Sequence, residues 1–237
     1  SICSPNYLHD AHVRFALRSD ADVICEKPLV LNPWNIDGLQ EIERDTGRRV
    51  YTILQLRLHP AIIALKDKIA AVPADETFDV DLSYITSRGG WFHVSWKGDE
   101  SKSGGIATNI GVHFFDMLAF IFGDLQKSHV HLRTDSHAAG YLEFKRARVR
   151  WFLSVDRHDL PAQTPEGQTT YRSITVNGDE IEFSGGFTDL HTLSYQDIVS
   201  GGGFYVDDVR PSIELVSSIR TVDLEPGKGD MHPLAQD

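Results

Sequence analysis

The first sixty residues alternate between short apolar runs and amphipathic segments, and this alternation restricts the folds that the chain can adopt. The runs predict strands at 1–3, 22–25 and 48–58, and the amphipathic segments predict helices at 11–20 and 32–47. Asn32 and Gly47 are residue types that start and end a helix. Strands joined through helices by short loops form right-handed βαβ units with parallel strands. Residues 1–58 are therefore predicted to form half of a doubly wound α/β domain.

A different pattern follows one more predicted helix at 61–70. Segments 78–85 and 148–155 alternate apolar and polar side chains with a period of two, which is typical of strands in an antiparallel or mixed sheet. Asn177 and Gly178 predict a type I′ turn in a hairpin over 171–183. Residues 59–237 are therefore predicted to form an α+β domain with a large open sheet.

The last sixty residues continue this second domain. Two helices are predicted at 190–201 and 207–220, and the tail at 225–237 is expected to be frayed or strand-swapped. The second helix carries one apolar stripe, formed by Val209, Ile213, Val216 and Ile219. This stripe should cover the sheet.

Composition narrows the classes of partner. The 237 residues are 41% hydrophobic and 24% charged, which is ordinary globular composition, and the formal net charge is −11. Nucleic acids and anionic membranes attract basic surfaces, so neither is an expected partner. The apolar run at 117–123 is too short to span a bilayer. Two cysteines, Cys3 and Cys25, suit a reducing cytoplasm, and a disulfide between them is disfavoured.

Unusual polar residues follow the predicted parallel strands. In such a sheet, ligands collect outside the carboxyl ends of the strands, so segments 4–9, 26–28 and 55–59 should line one crevice. Lys27 stands at a strand mouth and is followed by Pro28, whose ring fixes the backbone. A surface lysine paired with Glu26 is the alternative interpretation. The position favours a lysine that is held in place for function.

A second polar group lies in the glycine-containing segment 103–123. His113 and Asp116 are three residues apart on one predicted helix face. A lone histidine on an apolar helix is more often a satisfied core residue, but one beside a glycine-lined cleft suits proton transfer near neutral pH. Neither this pair nor His9 with His12 has further ligands at recognisable spacing, so no metal site is predicted.

Together these stretches resemble a known family. The chain resembles the glucose-fructose oxidoreductase, inositol dehydrogenase and MocA family of NAD(P)-dependent sugar oxidoreductases. The resemblance is carried by CEKPL after a strand, the upstream SPN loop with a histidine, and the segment from 103 to 123. Segments 55–60, 89–98, 108–116 and 186–216 resemble the WlbA and WbpB type within it. That subgroup oxidises C3 of UDP-N-acetylglucosaminuronic acid with NAD during lipopolysaccharide O-antigen sugar synthesis.

The resemblance implies roles for individual residues. Lys27 would orient and polarise the sugar hydroxyl, and His113 would be the base. The NAD site would include Ser4, Pro5, Asn6, His9, Glu26 and Gln55. The nucleotide sugar would contact Lys27, Arg57, Arg88, Trp96, Lys97, Asn109 and His113. A homo-oligomer, a dimer or tetramer held by the open sheet, is also expected.

Two departures from the family pattern accompany the resemblance. Many members have aspartate where this chain has Asn109, which can hydrogen-bond a sugar hydroxyl but cannot act as a base. The sequence contains no G-x-G-x-x-G, so the phosphate cradle is expected upstream of residue 1, in a longer enzyme. This chain alone is expected not to bind NAD measurably. Another sugar or polyol as substrate, or a non-catalytic binding or assembly domain, are the alternatives.

Overall fold

A computed structural model describes residues 1–181 and 189–236. The helices are α1 (His9–Arg18), α2 (Pro33–Thr46), α3 (Pro60–Ala70), α4 (Trp91–Val94), α5 (Glu100–Ser103), α6 (Val112–Phe122), α7 (Leu190–Val199) and α8 (Val206–Thr221). The strands are β1 (Val23–Cys25), β2 (Val50–Thr52), β3 (Phe78–Thr86), β4 (Leu125–Arg133), β5 (His137–Phe144), β6 (Ala147–Ser154), β7 (Thr170–Val176), β8 (Asp179–Glu180) and β9 (Phe204–Tyr205).

The first sixty residues form the predicted parallel βαβ arrangement. β1 and β2 pair in parallel, with Val23 opposite Val50, and Ile2 makes an isolated parallel bridge to Cys25. β9 then adds to β2 as an antiparallel strand. This return of the chain from beyond residue 200 is a contact that the division into residues 1–58 and 59–237 does not predict. That division stays a prediction.

The third predicted strand is much shorter than expected. β2 ends at Thr52, and residues Gln55–Leu58 form a 3₁₀ helix instead of continuing to residue 58. Its partner β1 has only three residues, so the parallel ladder cannot extend further. His59 then caps α3 by accepting a hydrogen bond from Ala61 N. The turn brings Gln55 to the carboxyl end of the sheet.

The second domain is built on a mixed six-stranded sheet, as predicted, in the order β4-β5-β6-β3-β7-β8. Only β3 and β6 are parallel, and the other neighbours are antiparallel. One face is covered by α6, where the Phe115 and Trp151 rings meet edge to face at 5.2 Å. Val149, Trp151 and Leu153 are buried and Arg148 is exposed, as the period-two pattern predicts, but Phe152 and Ser154 on the alternate face are buried as well.

The predicted hairpin turn is present between β7 and β8. Asn177 has φ 52° and Gly178 has φ 87°, which are the positive values that a type I′ turn requires at both central positions. The predicted second strand continued to Phe183, but residues 182–188 lie outside the described part of the chain.

α8 joins the two sheets. Its predicted apolar stripe is fully buried, and the helix packs on α6, α2, β4 and β2 rather than on the large sheet alone. Asn32, expected to cap α2, makes no side-chain cap there; its amide oxygen accepts a 2.5 Å hydrogen bond from Arg220 of α8. Gly47 ends α2 with φ 68°, as predicted.

The C-terminal segment 222–236 crosses the other face of the large sheet. Glu225 N bonds to Val130 O at 2.7 Å, and the His232 ring stacks on Phe152 while bonding Ser83 Oγ at 3.0 Å. The tail is therefore packed rather than frayed over its described length. The tail covers part of the open sheet face through which an oligomer is expected to form. The oligomer stays a prediction.

One helical stretch, Glu100–Phe122, is long and apolar enough by composition to cross a membrane. Within it, 78% of the most apolar window is buried inside the chain, as expected for a core helix.

Candidate active site

A cleft of about 260 Å³ lies between the carboxyl ends of the small sheet and one end of the large sheet. We call it the Lys27 cleft. It is lined by Glu26, Lys27, Gln55, Leu56, Tyr84, Arg88, Phe92, Lys97, Asn109, Ile110, His113, Phe114, Arg172 and His191. The structure thus brings together most of the polar residues that the sequence singled out, from segments more than eighty residues apart.

Lys27 enters the cleft directly after β1. Its Nζ donates a 3.0 Å hydrogen bond to the backbone oxygen of Asn109. Burial lowers the Lys27 pKa to about 8, with Glu26 opposing the shift and Lys97 and Arg88 adding to it. At neutral pH the ammonium therefore persists, but it is easily deprotonated compared with a surface lysine.

His113 faces Lys27 from the first turn of α6. Its pKa lies well below the ordinary value because the ring is buried, and because Lys27 and His191 place positive charge nearby. The imidazole is therefore neutral at pH 7 and can accept a proton. A neutral histidine and a charged lysine in one cleft form a pair with distinct proton-handling roles.

The backbone before α6 makes this approach possible. Ala107–Gly111 adopt a π-helical turn, a distortion that is frequent at functional sites. A side chain at Gly111 would collide with Leu153 and Phe115, so glycine lets the helix lie close to the large sheet. The same turn directs the Asn109 carbonyl to Lys27.

The cleft is rich in cations. Arg88, Lys97 and Arg172 line it with Lys27, whereas Glu26 is its only carboxylate among the described lining residues and bonds to His191 at 3.0 Å. Arg172 stands 5.5 Å from the centre of the Tyr84 ring. This lining favours an anionic ligand in a chain of net charge −11.

Trp96 lies behind this rim and does not line the cleft. Lys97 Nζ stands 5.6 Å from the Trp96 ring centre and 5.4 Å from that of Trp91. Both rings can hold the ammonium by cation–π attraction. A substrate contact of Trp96 stays a prediction.

Arg57 is a predicted rim residue that does not line the Lys27 cleft. Its guanidinium donates two hydrogen bonds, of 2.8 and 2.9 Å, to the Asp116 carboxylate. It also forms an ion pair with Asp208 at 3.3 Å. The side chain is 11% exposed and lies outside the Lys27 cleft. Arg57 thereby links α6 to α8 through Asp116 and Asp208. A substrate contact of Arg57 stays a prediction.

Two of the predicted NAD-binding residues are committed to structural contacts. His9 ring nitrogens lie 2.7 Å from Pro28 O and 2.8 Å from Ser4 O, and Asn6 Nδ2 donates to Ser103 O at 2.9 Å. His9 thereby holds the segment that carries Lys27. Ser4 Oγ contacts His12 at 2.9 Å. Roles of Ser4, Pro5, Asn6 and His9 in cofactor binding stay predictions.

Three cleft residues with polar side chains were missed by sequence reasoning. Tyr84 and Arg172 face each other on β3 and β7, where a strand pattern alone does not show which end faces a ligand. His191 lies in the first turn of α7 and approaches Glu26 across 165 positions of sequence. Only its place within the segment that resembles the family gave a signal.

Metal ligands do not gather in residues 1–181 and 189–236, since no group of three or more His, Cys, Asp or Glu could hold an ion there. Cys3 and Cys25 are both free thiols, one exposed and one buried.

Comparison with known proteins supports the arrangement. The Thermus thermophilus WlbA (WbpB) dehydrogenase, crystallised with NAD and UDP-GlcNAcA, is 50% identical with a TM-score of 0.92 and covers 98% of this chain and 75% of its own. A putative UDP-kanosamine synthase oxidoreductase subunit from Amycolatopsis mediterranei (strain S699) is 28% identical over 188 residues, 77% of this chain and 49% of that protein. The Escherichia coli (strain K12) D-glucoside 3-dehydrogenase is 27% identical over 129 residues, 52% of this chain and 35% of that protein.

This chain therefore spans about half or less of these two curated relatives. Family models match in two parts. Residues 1–54 match the oxidoreductase family's NAD-binding Rossmann fold, and residues 76–233 match its C-terminal alpha/beta domain. The chain belongs to the glucose-fructose oxidoreductase, inositol dehydrogenase and MocA family.

Proposed function

We propose that this chain carries the catalytic cleft of an NAD-dependent dehydrogenase that oxidises the C3 hydroxyl of UDP-N-acetylglucosaminuronic acid to the 3-keto sugar. The observation that carries the proposal is the pairing of the Lys27 ammonium with the neutral imidazole of His113 in one cationic cleft. The 50% identity to a dehydrogenase crystallised with NAD and UDP-GlcNAcA supports it.

The two residues divide the proton chemistry. Oxidation of the hydroxyl removes its proton as the carbon loses a hydride, so charge develops on the oxygen. His113 accepts the proton, since its imidazole is neutral. Lys27 donates a hydrogen bond to the same oxygen and stabilises the developing charge. Its existing bond to Asn109 O fixes the ammonium before substrate arrives.

The cleft also has features that suit NAD. Gln55 Oε1 is buried and accepts no hydrogen bond from the described residues, so it can receive an amide or hydroxyl donor of a ligand. Glu26 and Gln55 lie at the carboxyl ends of β1 and β2, where dinucleotides bind in doubly wound sheets. These two residues would hold the nicotinamide end. When bound, NAD supplies the hydride acceptor.

Arg88, Lys97 and Arg172 would recognise the negative charges of the substrate. A carboxylate or phosphate forms short charge-assisted hydrogen bonds with guanidinium and ammonium groups. Asn109, which is 9% exposed, would contact a sugar hydroxyl but cannot remove its proton.

Turnover measurements test the proposal. The full-length enzyme should reduce NAD with UDP-N-acetylglucosaminuronic acid and show little activity with free glucose or inositols, which lack the charges that the rim binds. Preference for an uncharged substrate would favour the alternative suggested by the D-glucoside and inositol dehydrogenases among the relatives. Binding of sugar without NADH formation would favour a non-catalytic domain.

The proposal also covers the pathway, the cellular location and the oligomeric state of the enzyme. The product would enter lipopolysaccharide O-antigen sugar synthesis, and the two free thiols suit a cytoplasmic location. The enzyme would act as a dimer or tetramer, through the sheet face that segment 222–236 only partly covers.

A further inference from the structure

A buried ion pair lies beside the Lys27 cleft and takes no part in the proton chemistry described above. The Asp116 carboxylate is 2% exposed, and burial raises its pKa although the Arg57 guanidinium opposes the shift. Neither Arg57 nor Asp116 is among the described residues that line the cleft. The burial of this carboxylate therefore has a cause other than contact with a ligand in the cleft.

Stability alone does not account for the pair. Two charges lose hydration when they are buried, and apolar residues of similar size often hold a core equally well or better. The surroundings are already apolar, since the Arg57 guanidinium lies 5.2 Å from the centre of the Phe120 ring and 5.1 Å from that of Phe204. The pair differs from apolar contacts in its direction, because Nε and Nη2 of Arg57 donate to the two oxygens of one carboxylate and so fix their relative orientation.

The pair joins the two sides of the cleft. Arg57 belongs to the 3₁₀ turn Gln55–Leu58, which follows β2 and supplies Gln55 to the cleft lining. Asp116 lies on α6, about one helical turn after His113. The cofactor side and the proton-accepting side of the cleft are thus each within three residues of one member of the pair.

Asp208 extends this connection to α8. Arg57 Nη2 donates a 2.8 Å hydrogen bond to the backbone oxygen of Asp208, and Nη1 lies 3.3 Å from its carboxylate. That carboxylate also accepts a 2.8 Å hydrogen bond from Tyr205 N at the start of α8. One guanidinium therefore holds the turn after β2, α6 and the start of α8 against each other.

We propose that the Arg57–Asp116 pair positions the base of the reaction. The pair holds the turn of α6 that carries His113 against the turn that carries Gln55, and so sets the distance between the imidazole and the nicotinamide end of NAD. Both members are positioning residues in this role, since they act through His113 and Gln55. The inference rests on the proposed function. Because a displacement of about 1 Å at a reacting group can cost about 10²-fold in rate, the pair should affect kcat more than substrate binding.

A double variant of the full-length enzyme tests the proposal. Arg57→Met with Asp116→Leu replaces the pair by apolar side chains of similar size, so the free energy of unfolding should equal or exceed that of the wild type. The kcat for the UDP-sugar should fall about tenfold or more, with KM nearly constant. Arg57→Lys keeps the charge without the two-point geometry and should show a smaller fall in kcat. Arg150→Gln breaks the ion pair with Asp81 on the large sheet, and as the matched control it should leave kcat unchanged.

A measurement without substrate separates this inference from the proposed reaction. In crystals of the NAD complex, the His113 ring should be displaced by about 1 Å relative to the nicotinamide in the double variant. Wild-type kcat in the folded double variant, or an unmoved His113, would overturn the positioning role. If the double variant does not fold, wild-type kcat in Arg57→Lys would overturn it. A displaced His113 in an enzyme that oxidises no UDP-sugar would support the positioning role and refute the proposed reaction.

Discussion

The Lys27 cleft and the opposite face of the large sheet use positive charge in different ways. On the sheet face, Arg148 pairs with Asp79 at 2.9 Å, Arg150 with Asp81 at 2.5 Å, and Lys127 with Glu143 at 2.8 Å. In the cleft, Lys27, Arg88 and Lys97 gather without an ion pair to any described carboxylate.

Paired charges on the sheet face stabilise the fold, whereas unpaired cations in the cleft are suited to binding a ligand. Cross-strand pairs of opposite charge contribute modestly to a sheet, roughly 0.2–1 kcal/mol each. Clustered unpaired cations lose hydration and also repel each other, and both effects lower the pKa values of Lys27 and Lys97. Such a cluster destabilises the empty protein. The cluster is suited to attract an anionic ligand, since no described carboxylate neutralises it.

The largest expected effect is on turnover when Lys27 is replaced. Lys27→Met should lower kcat by about 10²-fold or more, because the developing oxyanion loses its hydrogen-bond donor. NAD affinity should change little. Steady-state kinetics with Arg148→Met as the sheet-face control checks the difference, and a loss of only a few-fold would show that Lys27 does not take part in catalysis.

The same substitution should raise the free energy of unfolding, although it lowers turnover. Folded Lys27 loses its proton near pH 8, whereas the unfolded side chain keeps it to pH 10.5, so the unfolded state binds more protons between these values. Wild-type stability should therefore rise across this window. Lys27→Met should lack that rise and be more stable below pH 8, by about 3 kcal/mol, because burial of the ammonium is the main cause of the shift. Urea unfolding at pH 7 and pH 10 measures both.

His113 should give the next largest effect. His113→Ala should cost about 10²-fold in kcat/KM through loss of the base. In the wild type, kcat/KM should stay level from below pH 6.5 to about pH 8, because the His113 pKa is lowered, and decline above as Lys27 deprotonates. A wild-type profile that falls steeply below pH 6.5 would contradict the assignment of His113 as a base with a lowered pKa.

Lys97 should affect binding rather than chemistry. Lys97→Gln should raise KM for the UDP-sugar about tenfold with kcat nearly constant, because it removes one cation from the rim. Lys127→Gln removes a cation whose partner is Glu143 on the sheet face, and its KM should equal that of the wild type. Equal KM values for both variants would remove Lys97 from the binding site.

Sequence reasoning was most successful where a local rule acts. The alternation of strands and helices, the Asn177–Gly178 turn and the Gly47 helix end follow from backbone preferences of a few residues. Lys27 and His113 were found because a polar residue at a strand end or in a glycine-rich segment breaks an apolar pattern.

The features that sequence reasoning did not predict come from contacts between distant segments. Arg57 follows β2 as predicted, but a buried carboxylate 59 positions away determines where its side chain points. β9 joins β2, and the tail packs across the large sheet, through pairings that no local pattern encodes. Such long-range choices depend on which surfaces remain uncovered once the sheets have formed.

The smallest predicted effect concerns the paired face. Asp81 accepts hydrogen bonds of 2.5 and 2.6 Å from Arg150 Nε and Nη2, a two-point contact between partly exposed side chains. Asp81→Asn should lower the free energy of unfolding by about 1 kcal/mol, because the charge is lost while one hydrogen bond can remain. KM and kcat should match the wild type.

Urea unfolding and steady-state kinetics on the same preparations test that expectation. Arg150→Gln and the double variant complete a cycle that isolates the pair energy from other losses at each site. A coupling near zero would show that the sheet face is held by its apolar contacts, such as His232 on Phe152 at 5.7 Å, and not by charge pairing. A rise in KM for Asp81→Asn would contradict the distinction between the sheet face and the Lys27 cleft, since it would mean that the paired face also affects substrate binding.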